Sequence, residues 1–492
     1  MSSSSRAAAP KDGSPRGAGR LSELQRTAVA DLLRIAPVAD DLGRRFVAAG
    51  HQLHLVGGSV RDALLGRLED DLDFTTDARP DQVLPLVEGW AESSWQTGIE
   101  FGTVGVAKGG FRIEITTFRS DLYDGETRNP EVTFGDTLDG DLLRRDFTVN
   151  AMAVSVPGHV FADPFGGLGQ LAERVLDTPG TPEQSFRDDP LRMLRAARFV
   201  SQLGFHPASR VVAAMTAMAD QIDRITPERV GAELVKLMMG EHPKDGLRLL
   251  TDTGLAERIL PELPALRLER DEHQQHKDVY EHTLTVLEQA IAQETDGPDL
   301  TLRLAALMHD VGKPATRRFE PGGKVSFHHH EVVGAKLVRK RLRALRMPKA
   351  LIDDVAMLTF LHLRFHGYGT GAWTDSAVRR YVTDAGPLLP LLHRLVRADC
   401  TTRNPRRRAD LQRSYDSLEE RIATIAAAED LARVRPDLDG NAIMELLGVP
   451  PGPTVGKAWA YLKELRLEQG PLERAAAEAA LLDWARREGV IN

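Results

Sequence analysis

Apolar and polar residues alternate in three short segments within the first third of the chain. These segments, residues 54–56, 71–74 and 111–116, show the two-residue period of half-buried strands. From about Thr178 onward the alternation stops, and Ala, Leu, Arg and Glu recur at helical spacing. The pattern predicts an α+β chain in which a small mixed-sheet head precedes a long, all-helical remainder.

Composition and charge narrow the class of protein. The 492 residues suffice for roughly three or four domains. A net charge of −8 argues against non-specific coating of nucleic acid but leaves room for a local basic groove. The single cysteine, Cys400, excludes an internal disulfide framework and suits a reducing compartment.

The first 20 residues are Ser-, Ala-, Gly-, Pro- and Arg-rich without an apolar run, so we expect a disordered tail. This segment lacks the hydrophobic core of a secretory signal, and no apolar run in the chain approaches the ~18 residues of a membrane span. We therefore expect a cytoplasmic protein that does not associate with membranes, and the sequence gives no sign of an obligate protein partner.

The first strand leads into two glycines just before a predicted helix. Gly57 and Gly58 would let backbone N–H groups approach a phosphate, and the start of the helix adds a favourable dipole. Ser59 can donate a hydroxyl hydrogen bond, and Arg61 can neutralise phosphate oxygens. Because Gly-Gly before a helix is also an ordinary turn, this motif alone leaves both interpretations open.

Two carboxylates follow on the next predicted strand. The strand period puts Asp71 and Asp73 on one face, where their charges repel each other unless a cation lies between them. Such a pair can hold two Mg²⁺ ions for phosphoryl or nucleotidyl transfer. Glu114 supplies a third carboxylate in the same way, or forms a salt bridge with Arg112 on its own strand face. The nearby glycine turn favours the metal-binding interpretation for Asp71 and Asp73 over a solvated acidic turn.

These residues together resemble the first motif of class II tRNA nucleotidyltransferases, which comprise CCA-adding enzymes and bacterial poly(A) polymerases in the DNA polymerase β superfamily. Residues 144–151 are similar to the second motif of that family. The resemblance implies that Arg145, Asp146 and Asn150 contact the ribose or link the head to a neck domain. It also places a flexible loop at residues 118–141, with Arg119, Tyr123 and Arg128.

Charged residues recur every three positions in the segment 187–199. An Asp opens this predicted helix and Pro190 lies in its first turn, so its polar residues form a single ridge. This ridge is either a solvated charged face or a surface that recognises nucleobases. Its four members are Asp189, Arg192, Arg195 and Arg198.

Base recognition needs one acceptor and one donor. Cytosine and adenine both present an amino donor beside a ring-nitrogen acceptor, so Asp189 can accept from the first and Arg192 can donate to the second. Uracil and guanine present the reverse order. The family carries Glu-Asp-x-x-Arg at this point, and this chain has Asp188 in place of the Glu. The pair therefore predicts use of CTP and ATP.

Polar residues of the helical remainder share faces with apolar ones and so point inward, where they need partners. Several inward His and Asp residues together are better explained by a metal than as single core residues. Four residues of this set resemble the H…HD…D metal ligands of the HD phosphohydrolase superfamily. Two more histidines of the set lie where some members of that superfamily bind a second metal. The H…HD…D set is His282, His309, Asp310 and Asp399, and the two further histidines are His330 and His362. We expect a divalent transition metal such as Mn, Ni, Co or Fe, in either a catalytic or a vestigial structural site.

The resemblance implies five regions: a disordered tail (1–20), a nucleotidyltransferase head (21–177), a helical neck (178–265), an HD-type domain (266–402) and a C-terminal helical region (403–492). It implies template-independent addition of CCA to the tRNA 3′ end from CTP and ATP, with Mg²⁺ in the head. Poly(A) synthesis and CC- or A-only addition are alternatives within this class. An HD-type phosphohydrolase and a non-catalytic RNA-binding module are alternatives of other classes.

Overall fold

The computed structural model describes residues 16–119, 134–135, 137–267, 278–321, 324–368, 373–402, 404–429 and 435–491. The chain divides into two compact units, Met1–Arg258 and Ile259–Asn492. None of the helices within the described ranges has the length and apolar character needed to cross a membrane.

The first unit is built on a mixed seven-stranded sheet. Its strands are β1 (Leu53–Val56), β2 (Asp71–Thr76), β3 (Ser93–Trp95), β4 (Thr103–Lys108), β5 (Phe111–Thr117), β6 (Ala153–Ser155) and β7 (Phe161–Ala162), in the spatial order β3-β4-β5-β2-β1-β6-β7. β2 and β5 are parallel, whereas the other neighbours are antiparallel. The three strands predicted from alternation are confirmed as β1, β2 and β5.

Helices surround this sheet and continue beyond it. They are α1 (Arg16–Ala48), α2 (Gly58–Leu64), α3 (Pro80–Val87), α4 (Leu138–Leu143), α5 (Gly167–Glu173), α6 (Pro182–Asp188), α7 (Leu191–Leu203), α8 (Ser209–Ala217), α9 (Pro227–Met238), α10 (Pro243–Asp252) and α11 (Ala256–Ile259). α7 packs against α9 and α10. The expected tail overlaps α1, because residues 16–20 are helical, whereas residues 1–15 lie outside the described part of the chain.

The second unit is mostly helical. Its helices are α12 (Val279–Ile291), α13 (Leu300–Met308), α14 (Lys313–Thr316), α15 (His330–Ala344), α16 (Lys349–Leu361), α17 (Asp375–Ala385), α18 (Leu389–Ala398), α19 (Pro405–Ala428), α20 (Gly440–Leu447), α21 (Pro453–Gln469) and α22 (Arg474–Arg487). α13 packs against α12, α16 and α18, and α20 to α22 enclose a separate apolar core.

The prediction that strands are absent after Thr178 is wrong in two places. β8 (Val175–Leu176) pairs with β9 (His206–Pro207), and β10 (Arg318–Glu320) forms a hairpin with β11 (Lys324–Ser326). Strands of two or three residues are too short to produce a recognisable alternation.

Candidate functional sites

The acidic residues of the head meet on one face of the sheet. Asp71 and Asp73 both project from the exposed face of β2, while Leu72 and Phe74 between and beside them are buried. The parallel register places Asp73 directly beside Glu114 of β5 and Asp71 beside Arg112. Arg112 Nη2 lies 3.7 Å from Glu114 Oε1 with both side chains largely exposed, so Glu114 belongs to the carboxylate group and to a loose salt bridge at once.

Asp73 lies in an electrostatically unfavourable position. Desolvation raises the pKa of its carboxyl, Arg145 opposes this, and the neighbouring Glu114 and Asp71 raise the pKa further. A divalent cation would relieve this mutual repulsion, and carboxylate oxygens are the ligands that hard cations prefer. The donor set of Asp71, Asp73 and Glu114 therefore fits a magnesium site.

The turn before α2 brings the glycines against these carboxylates. Gly57 has φ +70°, and a Cβ built on it would lie 2.8 Å from Arg145 Nη1 and 3.8 Å from Asp73 Oδ2. Only glycine adopts this conformation at low cost while leaving that space free. The turn thus places Gly57 beside Arg145 and Asp73.

Ser59 and Arg61 make contacts that the sequence does not predict. Ser59 Oγ accepts a hydrogen bond from Asp73 N at 2.9 Å and lies 3.3 Å from Asp71 O, so it fixes β2 relative to α2. Arg61 donates through Nε and Nη2 to Asp62 and through Nη1 to Asn150 Oδ1 at 2.6 Å. Both side chains are buried and hold the turn in place.

Asp146 is the centre of a buried polar network. It accepts hydrogen bonds from Asn150 Nδ2 at 2.9 Å, from its neighbouring backbone N–H, and from Arg195 Nε at 2.7 Å. Burial alone would raise the pKa of Asp146, but Arg195, Asn150 and Arg192 together hold it well below its usual range. The network links Asp146 and Asn150 to α7.

A cavity of about 400 Å³ lies between the sheet and α7. The predicted residues that line it are Asp73, Arg145, Asp146, Asp189, Arg192 and Arg195. It also contains Arg119, Asp141 and Arg229, which we did not predict as site residues. Asp141 is buried and accepts from Arg145 Nη2 at 3.2 Å, whereas Arg229 donates to Asp189 Oδ2 at 2.9 Å. The i,i+4 spacing of Asp141 and Arg145 was the available sequence signal for the first contact; the second joins distant segments.

The predicted helix at 187–199 is interrupted. Residues 187 and 188 end α6, Asp189 is extended with φ −141° and ψ 101°, and α7 begins after Pro190. A residue before proline is disfavoured in the helical region, which explains the break. Asp189 Oδ1 then accepts from Leu191 N at 3.1 Å, and Arg192 donates to Ser185 Oγ at 2.8 Å. Both side chains face the cavity.

The single ridge predicted for this segment is wrong at its last member. Arg198 is buried and donates to Glu233 of α9 at 3.3 Å, and burial lowers the pKa of Arg198 to about 10. Two three-residue steps from Arg192 leave Arg198 rotated by about 120° around the helix, because a turn takes 3.6 residues. Arg198 thus stabilises the packing of α7 on α9, away from the residues that line the cavity.

The inward His and Asp residues of the second unit form one cluster, called here the histidine cluster. Its members are His282, His309, Asp310, His330, His362 and Asp399. Asp310 is shared by two groups of potential metal ligands, one with His282 and His309 and the other with His330 and His362. His282 Nε2 lies 3.0 Å from Asp399 Oδ1, and His330 Nε2 lies 3.3 Å from Asp310 Oδ1. His328 and His329, which directly precede His330 in the chain, are exposed.

Backbone carbonyls orient three of these rings. The Nδ1 atoms of His309, His330 and His362 lie 2.6–2.9 Å from carbonyl oxygens three residues earlier in the chain. Donation from Nδ1 leaves each Nε2 lone pair directed into the cluster, which is the arrangement of metal-binding histidines. His309 Nε2 is buried and, among the described residues, has no partner in hydrogen-bond geometry although Asp310 Oδ2 is 3.2 Å away. The cluster therefore fits a metal site.

The charges of the cluster depend on each other. Burial alone would lower the pKa of His309, but Asp310 and Asp399 raise it to about 8. Burial and the neighbouring His309 lower the pKa of His362 to about 3. Burial alone would raise the pKa of Asp310 and Asp399, but the histidines hold both well below the usual range. Lys313 also contacts Asp310, with Nζ 2.6 Å from Oδ2.

Of the expected flexible-loop residues, Tyr123 and Arg128 lie outside the described part of the chain.

Three family models match the chain. Residues 53–177 match the poly A polymerase head domain, residues 204–266 match a probable RNA and SrmB-binding site of polymerase A, and residues 279–426 match the HD domain. The head and HD families imply dependence on divalent metal ions.

Whole-chain relatives share this arrangement. The chain is 36% identical to the A-adding tRNA nucleotidyltransferase of Deinococcus radiodurans over 84% of its length and 91% of the relative. It is 33% identical to the CCA-adding enzyme of Geobacillus thermodenitrificans over 82% of this chain and 86% of that enzyme. The crystal structure of the Bacillus stearothermophilus CCA-adding enzyme in complex with CTP covers 92% of this chain and 98% of its own, with 27% identity and a TM-score of 0.66.

Proposed function

We propose that this chain adds CCA to the 3′ end of tRNA from CTP and ATP. The chain belongs to the class II tRNA nucleotidyltransferase and poly(A) polymerase family with a C-terminal HD domain. One observation carries the proposal. The carboxylate of Asp73 and the base-reading pair Asp189 and Arg192 line the same cavity. A nucleotide in this cavity can thus be read at its base and attacked at its α-phosphate.

In the head, one group of residues would bind the metal ions and another group would bind the triphosphate. Mg²⁺ held by Asp71 and Asp73, with Glu114 alongside, would supply charge neutralisation at the α-phosphate and lower the pKa of the attacking 3′-hydroxyl. The backbone of Gly57 and Gly58 at the start of α2 can donate to the triphosphate. Arg145, beside Gly57, adds positive charge on the same side.

The base is read without a nucleic-acid template. The Asp189 oxygens each have a second lone pair beyond their bonds to Leu191 N and Arg229, so the carboxylate can also accept from an exocyclic amino group. Arg192, anchored by Ser185, can donate to the ring nitrogen. Uracil and guanine would face Asp189 with an acceptor and are therefore rejected. Asp146, Asn150 and Arg195 keep α7 in position behind this pair.

Extension of a tRNA lacking its terminal CCA, analysed at single-nucleotide resolution with each triphosphate, tests the proposal. We expect CTP alone to add two nucleotides, CTP with ATP to add three, and UTP or GTP to add none. One relative is an A-adding enzyme, so a tRNA ending in CC is the matched substrate. Addition of A only, and only to this substrate, would contradict CCA addition, as would long tails with ATP alone.

A second activity is favoured by the histidine cluster. Its two ligand groups around Asp310 resemble a dinuclear site, and we propose a divalent transition metal such as Mn, Ni, Co or Fe there. Hydrolysis of phosphomonoesters or cyclic phosphodiesters is the chemistry this site fits. Hydrolysis of a 2′,3′-cyclic nucleotide by the wild type but not by Asp310→Ala is the expected result. Equal hydrolysis by both proteins would contradict it.

A cytoplasmic location, expected from the sequence, stays a prediction.

A further inference from the structure

A tryptophan lies in line with the carboxylates of the head. The strand register pairs Asp73 with Glu114, Glu114 with Gly105 and Gly105 with Trp95. Directly paired residues project from the same face of a sheet. The four residues therefore form one row across β2, β5, β4 and β3 on the face that carries Asp71 and Asp73.

The glycine in this row makes room for the indole. A Cβ built on Gly105 would overlap Nε1 and Cε2 of Trp95, so the indole lies across Gly105 and toward Glu114. The side chain is half-buried, and Arg112 lies 5.0 Å from the ring centroid. Arg112 also reaches Glu114 at 3.7 Å, so a planar cation and an aromatic ring adjoin the carboxylates.

Asp73 belongs both to this row and to the lining of the nucleotide cavity, and the two extend from it in different directions. The cavity is lined by Thr103 and Thr116, which form the next register row, and by residues of α7. Trp95 and Gly105 do not belong to its described lining. The sheet face over Gly105 is therefore separate from the place that the incoming nucleotide occupies, and it adjoins the same carboxylates.

We propose that Trp95, together with Arg112, stacks the terminal base of the RNA acceptor and so positions its 3′-hydroxyl at Asp71 and Asp73. This inference rests on the proposed function. The indole over β4 is two strand spacings, roughly 10 Å, from β2, so a nucleotide stacked on it extends its ribose toward the carboxylates.

Stacking suits this acceptor because its last base changes during the reaction. CCA addition begins on a variable base and then continues on cytosine, so a hydrogen-bonding pocket for one base would fail at another step. Aromatic stacking is tolerant of sequence, since every base has a π-face, and a guanidinium plane can add to the stack. Arg112 can alternatively pair with the adjoining phosphate, and in either role it favours an anionic nucleotide chain.

Steady-state kinetics of nucleotide addition tests the proposal. For Trp95→Ala we expect the KM for tRNA to rise about ten- to hundredfold, with the KM for CTP unchanged. Trp95→Phe keeps an aromatic face and should restore most of the loss. Phe161→Ala removes an exposed aromatic residue from the opposite edge of the same sheet and serves as the matched control. An unchanged KM for tRNA in Trp95→Ala, or a failed rescue by Trp95→Phe, would overturn the proposal.

Photocross-linking gives a readout that does not depend on activity. A tRNA ending in 5-iodocytidine should cross-link to the peptide containing Trp95, and Gly105→Ala, which displaces the indole, should reduce that adduct. A cross-link elsewhere in the chain would overturn the placement of the acceptor. If the wild type adds no nucleotide at all, the proposed function fails, while the cross-link still reports where the RNA end binds.

Discussion

Two buried or crowded carboxylates of the head show how neighbours decide the chemistry of a single residue. Asp73 faces other carboxylates, and its pKa is raised. Asp146 faces Arg195 and Asn150, and its pKa is lowered. The residue type is the same, but the first position favours a metal cation and the second favours a permanent ion pair. Sequence periodicity identified Asp71 and Asp73, but it could not reveal that Asp146 pairs with a side chain 49 residues away.

Replacing Asp73 should separate activity from stability. A raised folded-state pKa means that ionisation destabilises the protein as pH rises from about 3.8 through the folded value. Asp73→Asn should therefore raise Tm slightly at pH 7 in EDTA while nucleotide addition falls by at least about 10²-fold. Asp70→Asn, an exposed neighbour, is the control. A lower Tm for Asp73→Asn would show that its carboxylate is a structural group.

Asp146 should behave in the opposite way. Asp146→Asn removes the anion that pairs with the half-buried Arg195, so we expect a loss of about 1–3 kcal/mol in unfolding free energy at pH 7. The depressed pKa makes this contribution present above pH 3.8 and lost as pH falls toward the folded value. Urea denaturation at pH 7 and at about pH 3 should show the two proteins converging. A constant difference at both pH values would contradict the ion pair.

At the scale of elements, alternation identified β2 and β5, in which buried positions alternate with exposed or partly exposed ones. β1 was identified as well, although His54 is its single partly buried position among buried ones. Alternation could not locate β3, whose three residues carry no buried position, and so Trp95 was missed. The order of the strands depends on long-range pairing, which local pattern does not encode. The charge repeat of α7 has a period of three residues, which is close to the 3.6 residues of a helical turn but does not match it. The repeat therefore predicted one ridge, whereas its last member lies on another face of the helix.

Arg198 and Arg192 provide the matched test of that helix. Arg198→Met should cost about 1–3 kcal/mol of stability, because it leaves the buried Glu233 with only a 4.0 Å ion pair to the exposed Lys236, without changing the choice of CTP and ATP. Replacing Glu233 by Met as well should recover most of the loss. Arg192→Met should instead weaken discrimination against UTP, and should also cost some stability because it removes the hydrogen bonds to Ser185 and to the Arg144 carbonyl. Relaxed selectivity in Arg198→Met, measured in competition with UTP, would contradict its structural assignment.

At the scale of the molecule, the motifs predicted two separate sites. The chain divides into two units, and the carboxylates of the head lie in the first while the histidine cluster lies in the second. The sequence placed the His and Asp residues inward from helical phase. Their convergence into one cluster, and the backbone carbonyls that orient three rings, depend on how five segments pack and could not be read from spacing. The contact of Arg229 with Asp189 was missed for the same reason.

The two units should lose function independently. Asp310→Ala removes the ligand shared by both groups of the histidine cluster, so the metal bound by that cluster should fall to background in elemental analysis. Nucleotide addition with Mg²⁺ should stay within about twofold of the wild type, because the carboxylates of the head lie in the other unit. Asp353→Ala, which removes a half-exposed carboxylate of α16 that pairs with Lys349, is the control. A large loss of CTP incorporation in Asp310→Ala would contradict the independence of the two sites.

We propose that the cavity lined by Asp73, Asp189 and Arg192 holds the incoming nucleotide, with its phosphates at the carboxylates and its base at Asp189 and Arg192. A crystal structure with a non-hydrolysable CTP analogue and Mg²⁺ tests it most directly. We predict the α-phosphate beside Asp71 and Asp73, with the cytosine amino group donating to Asp189 and the ring nitrogen accepting from Arg192. A nucleotide bound with its base away from Asp189, or with its phosphates away from Asp73, would contradict the account.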